Sequence, residues 1–177
     1  DETYLLEGIR QHHEDDKFFH EMPLFKHFMK RIEEEMSLRE HLKDIKRKFL
    51  VSHVLYELIL DNMIVTRFPD FVPKIYNHFE RTDSRDIKLL FEKIIGKNPE
   101  IDLFLVSLER FMEKRYLNFY SKEASLVKAL QFVTGKIGGW EMTDNTIKEF
   151  LEVISLIKEE TNFDSIFESI KTHKLVL

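Results

Sequence analysis

The stretch Phe49-Leu50-Val51-Ser52-His53-Val54-Leu55-Tyr56-Glu57-Leu58-Ile59-Leu60-Asp61 is apolar on nearly every helical face except the one carrying Ser52, His53, Glu57 and Asp61. A helix apolar nearly all round is normally buried. A carboxylate is rarely buried alone, because an unpaired charge taken out of water is strongly unfavourable. Glu57 should therefore meet a metal, a basic side chain or solvent in a cleft. The segment from Phe49 to Phe68 also holds Arg67, and no charge-free apolar run approaches the ~20 residues that span a bilayer. It reads as a core helix of a soluble protein.

The rest of the chain agrees with a helical reading. Among 177 residues there are sixteen Phe but only five Gly and four Pro. Pro23 suits the first turn of a helix reaching about Met36, and Ser37 with Glu40 has capping-box spacing that would open another. An earlier helix would start near Thr3 and pass through His12. Further helices are expected over Lys48 to Thr66, from Pro69 to about Glu80, from the cap Thr82/Asp83 to Ile95, and from Asn98 with Pro99 onward. Ser121 would cap a helix through Thr134, Gly135 to Gly139 (GKIGG) reads as the clearest loop, and Thr143 to Asn145 would cap a helix to about Glu160. A last helix would cover Asp164 to Thr172. No strand-like alternation competes with these signals. The expectation is an all-α, compact multi-helix bundle forming one domain over residues 1–177. Because the chain opens on Asp1 rather than Met, a further N-terminal segment is expected before it.

No cysteine is present, which removes disulfides, thiolate metal sites and a cysteine nucleophile. That fits a reducing compartment, and with no secretory signal visible the expected location is cytoplasmic. A formal charge of −5 with interspersed signs argues against a nucleic-acid surface. Phosphate-cradling glycine loops, Glu-x-x-His, His-Glu-x-x-His and Gly-x-Ser-x-Gly are all absent.

Two stripes remain. His12, Asp16 and His20 recur at four-residue spacing, as do His53, Glu57 and Asp61, so each set lines one helix face. Imidazole with carboxylate suits Zn, Mn or Fe. At ~1.5 Å rise per residue the outer members of a stripe stand ~12 Å apart, so neither stripe can serve one ion alone. Two adjacent members from each helix could share an ion, or the two sets could hold two ions. The bland alternative is a solvated polar face, more natural for the first stripe than for the second with its apolar surroundings. His13, His27, His41, His78 and His173 lack comparable neighbours and read as surface or filler residues. Glu33-Glu34-Glu35 and the basic Lys43 to Lys48 (KDIKRK) read as solvated helix faces.

The segment Gly8-Ile9-Arg10-Gln11-His12-His13-Glu14-Asp15-Asp16 with Met22-Pro23, the Phe49 to Leu60 helix, and Arg115-Tyr116-Leu117-Asn118-Phe119-Tyr120 followed by Ala129-Leu130 together resemble, in order and spacing, motifs of the acyl carrier protein phosphodiesterases. The resemblance runs from about Gly8 to Glu168. It implies an HD-domain-like fold and a manganese-dependent hydrolase that removes 4′-phosphopantetheine from acyl carrier protein. His12 and Asp16 match the family pattern. His20 stands at an acidic position, His53 and Glu57 at two Asp positions, Leu58 at a His, and Gly135-Lys136 at a basic pair. The resulting expectation is a divergent metal-dependent phosphohydrolase. His12, Asp16, His53 and Glu57 would hold the ion, and His20 and Asp61 would be further ligands or supports. Lys46, Arg115 and Lys136 are candidates for phosphate contact. The residues leave two alternatives open. One is a non-enzymatic helical protein that keeps the scaffold for a partner. The other is a binder of an apolar ligand, suggested by the many Phe residues, which would need an apolar cavity.

Overall fold

A computed structural model of the chain describes residues 2–176. Asp1 and the side chain of His173 lie outside the described residues. The described residues are all-α: α1 (Glu2–Glu21), α2 (Pro23–Leu38), α3 (Lys48–Arg67), α4 (Phe71–Glu80), α5 (Ser84–Ile95), α6 (Pro99–Lys114), a 3-10 turn (Tyr116–Phe119), α7 (Glu123–Gly138), α8 (Asp144–Glu160) and α9 (Phe163–Val176).

The opening stretch becomes the hub. α3 lies between α2 and α7, and α8 packs on all three. Val51, Leu55 and Ile59 of α3 are fully buried, as are Ile32 and Met36 of α2, Leu126 and Leu130 of α7, and Phe150, Val153 and Ile157 of α8. Burying each such side chain contributes about 1.5–3 kcal/mol before chain entropy is counted. By length and composition alone α3 could cross a membrane. In the structure its apolar faces are instead covered by neighbouring helices.

α4, α5 and α6 form a side arm. α4 packs on α3 and α6, and α5 packs on α6. Val72, Tyr76, Ile101 and Leu105 are buried within this arm but stand apart from the main apolar cluster, and α5 buries no residue completely.

Five local expectations are corrected. Ser37 does not open a helix. It sits in the last turn of α2 with its hydroxyl donating back to the Glu33 carbonyl at 2.8 Å, and residues 39–47 are turns. The basic Lys43 to Lys48 stretch is therefore mostly turn rather than helix face. Glu35 is not solvated: it is 8% exposed, pinned by Arg31 and Arg39, and Arg31 also holds Glu160 of α8. The nearby guanidiniums, Arg39 foremost, keep its carboxyl below the usual range. His41, expected to lack a partner, places Nδ1 2.8 Å from Glu149 Oε1 and ties the turn to α8.

The fifth correction is GKIGG. Gly135 to Gly138 continue α7, and only Gly139 leaves it, capping the helix at φ +65°. The glycines survive there because of what they touch. The Gly138 carbonyl accepts the Lys46 N–H at 2.8 Å, and its bare Cα faces Trp140. The Trp140 indole N–H in turn donates to Thr134 Oγ1 at 3.2 Å.

These contacts give a stability prediction. In Gly138→Ala the new methyl would lie 2.7 Å from Trp140 Cδ1, so the ring must move. A loss of about 1–3 kcal/mol in urea unfolding is expected, with altered Trp fluorescence. Gly8→Ala is the contrast: nothing lies within 4 Å of its Cβ position in mid-α1, so it should add about 0.5–1 kcal/mol.

Candidate functional site

The polar stripe of α3 is met by the end of α1. α1 stops at Glu21 and α2 starts with Pro23 at its first position, so the chain turns within two residues. That corner lays His20 over His53, with ring centroids 4.5 Å apart and planes inclined by 28°. Phe25, 2% exposed, backs both rings: its centroid is 4.8 Å from that of His20 and 5.3 Å from that of His53. Phe19 packs edge-on to His20 and to Phe25. The site thus rests on the main core.

Three donors converge. His53 Nε2 lies 3.2 Å from Glu57 Oε1, and His20 Nε2 lies 3.5 Å from the same oxygen. Among the described residues, His20, His53 and Glu57 are the group whose ligand atoms all fall within 4.8 Å of one another. Donors bonded at ~2.1 Å to a tetrahedral ion stand about 3.4 Å apart, so two of the three spacings already suit a shared ion. The donor set, two imidazoles and one carboxylate, is that of open catalytic zinc and non-haem iron sites.

The expected ligands are sorted by this geometry. Asp16 does not join the three, but its Oδ1 is 3.2 Å from His20 Nε2, and its charge acts on both His53 and Glu57. His12 lies two turns back along α1, exposed, with its ring beside His13. Of the two α1 histidines expected at the site, His20, eight residues nearer the corner, is the one that stands beside His53 and Glu57. Asp61 is one turn beyond Glu57, facing an adjoining cleft. Arg115 is engaged elsewhere: it pairs with Glu80 and its guanidinium carbon lies 5.1 Å over the Tyr76 ring. Lys46 and Lys136 are exposed near the end of α7 and form no described contact with the cluster.

Burial sets the charge states. It pushes the His53 pKa down, with Asp16 opposing, so the ring favours the neutral form that a metal needs. It pushes Glu57 up, with His20 opposing and Asp16 assisting. Asp61 is pushed up to about 6, first by burial and then by Glu57. His20 Nδ1 is buried with no hydrogen-bond partner. A ligating imidazole usually donates from its second nitrogen, so His20 lacks that support and is oriented by Phe19 and Phe25 instead.

The cleft beside the cluster encloses about 320 Å³. Phe19, Leu60, Ile64, Phe163, Ile166, Phe167 and Ile170 line it together with Glu57 and Asp61. Neither the cleft nor Phe25 was identified from sequence. The spacing of Phe163, Ile166, Phe167 and Ile170 is a legible apolar stripe on α9, but nothing in it says which helix the stripe meets.

A pH dependence follows. Because the folded protein holds the Asp61 proton more tightly than the unfolded chain, whose value is ~3.9, the stability this group gives is complete below about pH 4. It is lost as pH rises through about 6. Glu57 acts in the same sense. Metal-free Asp61→Asn should therefore be more stable than the parent at about pH 7, by on the order of 1 kcal/mol, and the gap should close near pH 4. Urea titrations at the two pH values measure this.

No protein-family model matches the chain, and no curated protein or solved structure matches it either.

Proposed function

We propose that this protein binds one divalent transition-metal ion through His20, His53 and Glu57 and uses it to hydrolyse a phosphoester. The observation that carries the reading is the convergence of both Nε2 atoms on Glu57 Oε1 at 3.5 and 3.2 Å. The resemblance to acyl carrier protein phosphodiesterases is a second support, and it makes phosphopantetheinylated acyl carrier protein the first substrate to try. Mn, Zn and Fe all suit the donors. Such an ion lowers the pKa of a bound water and polarises a phosphoryl oxygen.

The chain's own residues have distinct parts. His53, kept neutral by burial, and His20 offer nitrogen lone pairs, and Glu57 supplies the charge. Asp16, half exposed beside His20, is placed to take a proton from water or to add a fourth oxygen. Phe25 and Phe19 hold the imidazoles in place and keep water from their inner edges.

One observation favours a second reading, a metal-binding scaffold with no hydrolytic role. No Lys or Arg among the described residues pairs with the cluster, and Arg115 is occupied by Glu80 and Tyr76. A phosphate would therefore meet the ion without a protein cation beside it.

Thermal unfolding with Mn, Zn or anaerobic Fe(II) tests the metal. Ligand at 100 times its Kd adds about 2.7 kcal/mol, which is several degrees in Tm. His53→Ala and Glu57→Ala should abolish the shift, and His12→Ala should keep it. A shift that survives His53→Ala, or fails only in His12→Ala, rules out the three-residue centre. Turnover of bis(p-nitrophenyl) phosphate or holo-acyl carrier protein, lost in folded His53→Ala, would establish the hydrolase. Metal binding without turnover would leave the scaffold reading.

A further inference from the structure

We infer that the cleft between α3 and α9 binds a small organic cation with an apolar body, anchored by Asp61. The inference does not rest on the metal reading; the two share Glu57 as a wall but use different anchors.

Seven of the nine lining residues are apolar and three of those are phenylalanines, while the two polar ones are both carboxylates. Neither carboxylate pairs with Lys or Arg among the described residues, and Glu57 meets only imidazoles. The charged group acting on Asp61 is Glu57, and the neighbouring Tyr120 phenol, pushed up by burial and by Asp61, is neutral. Arg67 lies 5.4 Å from the centroid of the lining Phe163 ring, but it is paired with Asp164, so the two carboxylates of the lining set the sign of the field in the cleft. An anionic tail would be repelled, and a neutral one would leave Asp61 without a partner.

A protonated amine or amidine resolves this. Its head would donate charge-assisted hydrogen bonds to Asp61, and its apolar body would lie against Leu60, Ile64, Ile166 and Ile170. Phe19, Phe163 and Phe167 present ring surface in the same cleft, and aromatic faces attract organic cations. A volume of about 320 Å³ is at the small end of the range for ligand pockets, which suits a body of one ring or a short chain.

Three probes of one shape provide the test: 4-phenylbutylamine, 4-phenylbutanol and 4-phenylbutyrate, titrated into the full chain freed of metal by EDTA and followed by calorimetry and NMR shifts. The amine should bind with Kd of about 1 mM or tighter, the alcohol at least about tenfold weaker, and the carboxylate not measurably. Asp61→Asn should weaken the amine about tenfold and bring it level with the alcohol. Ile170→Trp, which fills the cleft and leaves Asp61 in place, should block all three. Circular dichroism confirms folding of both variants; if Asp61→Asn does not fold, the ranking of the probes and the Ile170→Trp result decide. No binding by the amine, equal binding of amine and alcohol, binding of the carboxylate, or an amine affinity unchanged in folded Asp61→Asn or in Ile170→Trp would each overturn the inference. His53→Ala should leave amine binding intact, so loss of the metal centre and loss of this site read out separately.

Discussion

A helix that is buried on three sides and carries His53, Glu57 and Asp61 on the fourth cannot leave that fourth side to chance. The apolar faces of α3 fix its place between α2, α7 and α8, and its ionisable face is then carried to the edge of the core. Water alone does not satisfy it, because burial already pushes Glu57 and Asp61 toward their neutral forms and His53 away from its charged one. The end of α1 and the stripe of α9 close over this edge, one with an imidazole and the other with aromatic and aliphatic side chains. The candidate metal centre and the cleft are two halves of one solution to a desolvation problem posed by α3.

Much of this was legible in the residues. The contrast between the apolar faces of α3 and its polar stripe announces both a core helix and a site. Pro23, Pro99, Gly96 and Thr143 mark helix ends because their backbone chemistry is local. The errors share a cause, which is that the deciding contact was distant. Ser37 had the residue type and spacing of a cap, yet its hydroxyl satisfies the helix it ends rather than one it starts. GKIGG reads as a loop on propensity, but the approach of Trp140 and Lys46 keeps four of its five residues helical. Glu35 looked like one acid in a solvated run, but Arg31 of its own helix and Arg39 just past the helix end enclose it, and Arg31 also reaches Glu160 of α8.

The choice between His12 and His20 shows the limit most clearly. Spacing by four puts both on the same face of α1, and no periodicity argument separates them. What separates them is where α1 crosses α3, and that is set by the corner at Met22-Pro23 and the burial of Phe25. The side arm of α4 to α6 adds a different lesson. Amphipathic pattern built its helices, yet they contribute nothing to the main apolar cluster. Local stability should therefore differ across the molecule, with α5 opening to solvent well before α3.

Phe25 belongs to two structures at once. Its ring fills the core against Tyr56, and the same ring is the rear wall for His20 and His53. Two properties that are separable in most proteins, the robustness of the fold and the preorganisation of the candidate site, here share a single residue. A change that loosens one loosens the other, so evolutionary drift in the core would reach the site directly. Any retuning of the site that needs the imidazoles to move must first find a new way to pack the protein.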